Sequence, residues 1–304
     1  MAGIFVYKTE YLQMNKKIAI QGFEGSFHQA AARQFFGEDV EVICCSTFRD
    51  VVKIASDQSK SDGGLMAIEN SIAGSILPNY NLLLKSNLKI IGEVYLQINQ
   101  HLMVNPGVEL SDIREVHSHP MALLQCMDFL EQNNWKLIET EDTALSAQMV
   151  HEQRCRHIAA IAGDLAAELF DLDIIAPDIH TQKNNYTRFW ALQREDSGSG
   201  VENANKASII FETDHSKGSL AKVLAKISDG DVNLSKLQSM PIPGSDWKYA
   251  FHADCEFTEI EHLYTVLESI RPFTAAVKVY GIYKNGKTPR SWPQAVANQI
   301  YNGK

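Results

Sequence analysis

The sequence predicts an α/β protein: two lobes built on mostly parallel sheets, then a smaller βαββαβ unit. Short apolar runs alternate with amphipathic helical stretches from Lys17 onward, the pattern of strands joined by crossover helices. The chain leaves the first series near Ile98 and re-enters it near Thr181, which makes two lobes with a cleft at the crossings. A stretch with Ser-Gly-Ser-Gly and no apolar periodicity, residues 196–205, reads as a linker to the smaller unit.

In the first lobe, about 16–98 and 181–195, Lys17–Ile20 reads as a strand ending at Gly22-Phe23-Glu24-Gly25. Ser26 is placed to cap a helix over His28–Phe36. Val40–Cys44 is a strand, Thr47 caps a helix over Phe48–Ser56, and Leu65–Ile68 is a strand followed by Glu69-Asn70-Ser71 and a further helical stretch. Ile90–Ile98 is strand-like and leads to the second lobe, about 99–180, where His101–Val104 is a strand. Pro120 suits the first position of a helix over Met121–Gln132. Trp135–Glu139 and His157–Ile161 read as strands, Asp142 or Thr143 caps a helix between them, and Leu165–Phe170 is a helix. After the linker come strand Ala207–Glu212, helix Ser219–Ser228 and strands Leu234–Pro241 and Lys248–Cys255 around Pro243-Gly244-Ser245-Asp246. Helix Ile260–Ile270 and strand Ala276–Tyr283 complete 206–284, a ferredoxin-like order. Met14-Asn15-Lys16-Lys17 reads like a start region, so residues 1–15 are expected to be an extension and 285–304 a loosely held tail.

At 304 residues and 45% hydrophobic content, the chain has length for two domains with real cores. A net charge of −9 argues against a nucleic-acid partner, which would need a basic face. No apolar run reaches membrane-spanning length, and the start lacks the order of a signal peptide. The five cysteines include no C-x-x-C pair, which points to reduced thiols in a cytoplasmic protein.

The residues that point to chemistry stand where strands end. The run Asn185-Tyr186-Thr187-Arg188-Phe189 puts a hydroxyl donor and a guanidinium side by side at a loop-to-strand junction, a pair suited to a small anionic substrate. Exposed arginine on a strand is the ordinary alternative. Gly22–Phe27, Glu69-Asn70-Ser71 and His119-Pro120 each read as a loop offering helix N-terminal N–H groups to an anion. Gly22-x-x-Gly25-Ser26 lacks the Gly-Lys-Ser/Thr of a nucleotide P-loop. His117-x-His119 has no companion at ligand spacing, so no metal is expected.

The order of these segments resembles the prephenate dehydratase family over about Lys17 to Glu195. Gly22-Phe23-Glu24-Gly25-Ser26-Phe27 resembles the family's Gly-Pro-x-Gly-Thr/Ser-Phe/Tyr loop, and Glu69-Asn70-Ser71-Ile72-Ala73-Gly74 its Glu-Asn-Ser-x-x-Gly. His119-Pro120-Met121-Ala122-Leu123-Leu124-Gln125-Cys126 is similar to His-Pro-Gln-Ala-x-x-Gln-Cys, and Asp142-Thr143-Ala144 and Asn185-x-Thr187-Arg188-Phe189 complete the series. The resemblance implies a periplasmic-binding-protein-like catalytic domain over 16–195 and a regulatory ACT domain over 206–284. Phe23, His28 and Met121 depart from the family's Pro, Ser/Thr and Gln. In the regulatory part the family's Glu-Ser-Arg-Pro reads Gln238-Ser239-Met240-Pro241 and its Gly-Ala-Leu reads Gly218-Ser219-Leu220. These segments sense phenylalanine in relatives, and the loss of both charges from the first puts that inhibition in question.

What the resemblance implies chemically is conversion of prephenate to phenylpyruvate, carbon dioxide and water, with no cofactor because no redox or hydride step occurs. Thr187 is expected to donate a hydrogen bond to the departing hydroxyl. Its hydroxyl is too weakly acidic for ordinary acid catalysis, so positioning must carry the effect. Ser26, Asn70, Ser71 and Gly74 are expected to bind substrate beside Phe189. A cation on the departing carboxylate would slow decarboxylation, so Arg188 is expected to hold the pyruvyl carboxylate instead. The rivals are an arogenate dehydratase and a non-catalytic small-anion sensor. The resemblance also implies a homodimer or homotetramer, with L-phenylalanine as a possible effector and lobes hinging near Ile98 and Thr181.

Overall fold

The structure is a computed structural model that describes residues 15–195, 203–214, 216–242 and 248–287. The extension up to residue 14, positions 196–202 of the linker, the turn Pro243-Gly244-Ser245-Asp246 and the tail after residue 287 lie outside the described residues. The first series runs β1 (Lys17–Gln21), α1 (Phe27–Phe36), β2 (Glu41–Cys45), α2 (Phe48–Ala55) and β3 (Gly63–Asn70). It continues through β4 (Gly74–Ser75), α3 (Leu77–Leu84) and β5 (Leu88–Gln97). The second runs β6 (His101–Val104), β7 (Glu115–Ser118), α4 (Pro120–Gln125), α5 (Met127–Leu130) and β8 (Lys136–Glu139), then α6 (Thr143–Gln153), β9 (Ile158–Ala162), α7 (Asp164–Leu169) and β10 (Asp173–Ala176). The chain returns as β11 (Tyr186–Arg194). It goes on to β12 (Lys206–Glu212), α8 (Ser219–Asp229), β13 (Asn233–Pro241), β14 (Tyr249–Glu256), α9 (Ile260–Ile270) and β15 (Ala276–Tyr283).

Three sheets result, in the orders β2-β1-β3-β11-β5 with β4 on β3, β10-β6-β9-β7-β8, and β13-β14-β12-β15. The first two are mixed rather than mostly parallel. β1 runs parallel to β2 and β3, but β11 is antiparallel to both β3 and β5. The reason is the crossover. Tyr186 at the start of β11 pairs with Gln97 at the end of β5, so the returning chain enters at the end where β5 left and must run the other way. β6, the strand that enters the second lobe, is likewise antiparallel to β9. The single helix expected over Met121–Gln132 is two short ones that meet at Cys126.

Helix ends follow local chemistry. Ser26 Oγ accepts from Gln29 N at 3.4 Å while Gln29 Oε1 accepts from Gly25 N at 2.6 Å, a reciprocal cap on α1. Asp142 Oδ1 accepts from Ala144 N and Leu145 N at 2.7 and 3.1 Å and starts α6.

The third sheet is covered on both faces. Ile209, Phe211 and Ala253 pack with Val223, Ile227, Leu263 and Val266 of α8 and α9. Ile210, Met240, Ala250 and Tyr280 instead join Tyr80, Leu83, Ile90 and Trp190 in one core shared with the first lobe. Each large apolar side chain buried there contributes about 1.5–3 kcal/mol. Gly281 permits the close approach, since a Cβ there would lie 2.0 Å from Ile90 O.

Candidate active site

A cleft of about 320 Å³ opens between the first two sheets. From the first lobe it is lined by Ser26, Phe27, His28, Phe48, Asn70, Thr187 and Phe189, and from the second by His119, Met121, Gln125, Asp142 and Thr143. Alternation along β11 turns Thr187 and Phe189 to this face. Asn70 ends β3 directly opposite Thr187.

Asn70 is locked. Its Oδ1 accepts from Ile72 N and Ala73 N at 3.0 and 2.9 Å, which leaves its amide nitrogen to donate to Thr187 Oγ1 at 3.1 Å and Asn185 Oδ1 at 2.8 Å. Since Thr187 Oγ1 already accepts, the hydroxyl proton is the part left for a ligand. Asn185 continues the chain across the cleft by donating to Gln125 Oε1 at 3.3 Å. Thus the Asn70–Thr187 pair is a preset donor tied to both lobes.

The cleft is short of cations, and aromatic rings line part of its first-lobe side. Among the described residues lining the cleft none is Lys or Arg. His28 meets the edge of Phe189 with ring centroids 5.0 Å apart and lies 5.6 Å from Phe48. Its Nε2 is buried without a hydrogen-bond partner, and burial pushes its pKa down to about 4, so the ring is neutral near pH 7. Burial also raises the Asp142 carboxyl, against the pull of the Leu145 and Ala144 amides. Among the described residues no group of three His, Cys, Asp or Glu side chains is disposed to hold a metal ion.

Other expected site residues lie elsewhere. Arg188 does not face the cleft. It points to the opposite side of β11, 4% exposed, where Nε donates to Glu93 Oε2 at 2.7 Å and Nη1 to Asp254 Oδ2 at 2.5 Å. Adjacent strand residues face opposite ways, so a strand cannot present Thr187 and Arg188 to one ligand. Ser71 Oγ accepts from Tyr186 N at 2.9 Å and donates to Asn184 O at 3.1 Å, tying the turn to the returning chain. It borders a second cavity behind β11, with Glu69, Lys206 and Lys236. Gly74 is exposed in β4 at φ +80, paired with Asn70 but outside the cleft. The Glu69-Asn70-Ser71 loop caps no helix, because β4 intervenes before α3.

In the C-terminal unit, Gly218 at φ +84 starts α8, and Ser219 and Leu220 line an open cavity with Asp214, Lys248 and Tyr249. Gln238, Ser239, Met240 and Pro241 lie on β13 outside the lining of that cavity. Met240 is buried in the core shared with the first lobe. Sequence reasoning misses Gln125 and Asn185 as site residues. Both lie within the family-like motifs, but no local rule says which amides of a loop or short helix will meet across a gap.

Two lobes around a cleft with a preset hydroxyl donor are an arrangement suited to holding a small molecule. The family model described as prephenate dehydratase matches residues 18–197, and the chain belongs to that family. It is 33% identical over 277 residues to arogenate dehydratase/prephenate dehydratase 2, chloroplastic, of Arabidopsis thaliana, covering 88% of this chain and 72% of that one. The prephenate dehydratase of Arthrobacter aurescens in complex with L-Phe superposes with a TM-score of 0.76 at 26% identity, covering 88% of this chain and 90% of that one. A structure described as GqqA, a novel type of quorum quenching acylase, gives a TM-score of 0.80 at 28% identity, covering 89% of this chain and 98% of that one.

Proposed function

We propose that this protein is a prephenate dehydratase in which Thr187 hydrogen-bonds the departing ring hydroxyl. The observation that carries this is the Asn70–Thr187 pair, held with its hydroxyl proton free at the interlobe cleft, inside a family match over residues 18–197. In the reaction the bond from the ring to its carboxylate breaks, its electron pair enters the ring, and the hydroxyl leaves with one proton taken up as water. Thr187 stabilises the developing hydroxide by geometry, since it is too weak an acid to give up its proton outright. The departing carboxylate belongs against Phe48, Phe189 and Ile76, where desolvation favours loss of charge. With Arg188 turned away, the pyruvyl carboxylate belongs at the first turn of α1, where Ser26 and free N–H groups meet it.

The βαββαβ order of the C-terminal unit supports its reading as an ACT regulatory domain, with residues 16–195 as the catalytic domain. The L-Phe held by the Arthrobacter aurescens relative supports phenylalanine as an effector, and the cavity at Ser219 and Leu220 is where an amino acid would fit. We further read the protein as a homodimer or homotetramer of the cytoplasm. All five cysteines are free, which suits a reducing compartment. An acylase reading, prompted by the GqqA likeness, would need a base beside the hydroxyl. Thr187 instead has the Asn70 amide, which is a donor.

The test is ultraviolet detection of phenylpyruvate from prephenate and of phenylalanine from arogenate, each with and without added L-phenylalanine. Turnover of prephenate is expected to be the faster. A chain that binds prephenate without turning it over is a sensor, and one that prefers arogenate is an arogenate dehydratase.

A further inference from the structure

β3 and β11 pair so that Thr187 stands opposite Asn70 and Arg188 opposite Glu69, with a register irregularity directly after, between Arg188 and Phe189. The first pair faces the cleft and the second faces the C-terminal unit. At such an irregularity the backbone ladder alone fixes position poorly, and here the second pair is gripped from outside the sheet. Lys236 Nζ of β13 donates to Glu69 Oε1 at 2.5 Å and to Ser75 Oγ of β4 at 2.8 Å. Asp254 of β14 receives Arg188 Nη1, and its other oxygen takes Ser208 Oγ at 2.6 Å and lies 3.0 Å from His252 Nε2. Glu93 of β5 is shared by Arg188 and by Lys206 of β12, whose Nζ donates to Glu93 Oε1 at 2.9 Å. Burial pushes the Asp254 carboxyl up, yet the adjacent Arg188 guanidinium brings it well below its usual range.

We propose that Lys236 and Asp254 of the C-terminal unit clamp the Glu69–Arg188 pair and thereby set Asn70 and Thr187 on the opposite face, so that turnover in the cleft depends on contacts made by that unit. A charged pair with directional hydrogen bonds has few good geometries, whereas apolar contacts tolerate sliding. The coupling path is a single residue long on each strand. Arg188 and Glu69 are positioning residues, acting through their neighbours. The inference rests on the dehydratase reading for its kinetic readout but on strand geometry alone for its structural one.

Lys236 and Glu69 have side chains 11% and 28% exposed, so Glu69 can take up water when its partner is removed and Lys236→Met is expected to fold. In the full chain, Lys236→Met is expected to lower kcat on the order of tenfold with KM within about twofold. It should also speed hydrogen exchange in the peptides around Asn70 and Thr187 while the second lobe keeps its protection. Lys236→Arg is expected to retain both kcat and protection. Unchanged kcat and local exchange in Lys236→Met would overturn the clamp. So would a kcat loss accompanied by faster exchange throughout the chain, which marks general destabilisation. If the parent chain fails to turn over prephenate, the dehydratase reading falls, and the exchange pattern still decides the clamp.

Discussion

The two faces of β11 differ more than any two distant regions of this molecule. On the front, Thr187 and Phe189 border open space, Thr187 keeps a proton to give, and His28 keeps a buried nitrogen with no partner. On the back, Arg188 is enclosed by carboxylates from two sheets of the protein. The front keeps a hydroxyl proton free, whereas on the back the charge of Arg188 is fully paired, although Trp190 Nε1 and His252 Nδ1 there have no partner. A face whose charges are already paired holds the fold, and one with a donor pointing into an open cleft is prepared for a ligand.

Three substitutions sharpen that contrast. The largest effect belongs to the back. Arg188→Leu leaves Asp254 a buried charge without its cation and Glu93 with Lys206 alone, and should cost about 3–5 kcal/mol of stability. Denaturant titration measures it, and a loss under about 1 kcal/mol would mean the cluster is hydrated. On the front, Thr187→Ala should cut kcat about 100-fold, about 2.7 kcal/mol of barrier, while leaving the melting temperature nearly unchanged. Turnover equal to the parent's would remove Thr187 from the chemistry.

The smallest effect concerns His28. Because burial holds its folded pKa near 4, the unfolded chain takes up that proton first as pH drops. Its contribution is therefore full above about pH 6.5 and is lost as pH falls from there toward about 4. Allowing for the ring's partial exposure, the loss is roughly 1–2 kcal/mol. His28→Asn should flatten that part of a stability–pH curve. It should not abolish it, because His252 is also buried with a lowered pKa and changes stability in the same direction. An identical curve for the variant would show that the ring is solvated.

Much of this was legible locally. Ser26 and Asp142 announce their helices because a short polar side chain before an apolar-periodic run has one good use, as a cap. The alternation of strands and helices marks two sheets and the βαββαβ unit, since period 2 and period 3.6 patterns differ in any context. Thr187 and Asn70 could be singled out from their motifs, yet their hydrogen bond joins residues 117 apart in sequence. Arg188 shows the limit most clearly. Next to Thr187 in the chain, it suggests a shared ligand, but whether a charged side chain meets substrate or carboxylates depends on what covers its face of the sheet.

The amino-acid order by itself determined most of the elements, the caps of α1 and α6 and the motif residues, because those depend on propensity and on contacts a few residues long. Only the tertiary structure decided the direction of β11, the burial of Met240 in a core shared by two units, and the partners of Arg188. Each of these depends on groups brought together from far apart in the chain, and on the desolvation that a charge or an apolar side chain meets there.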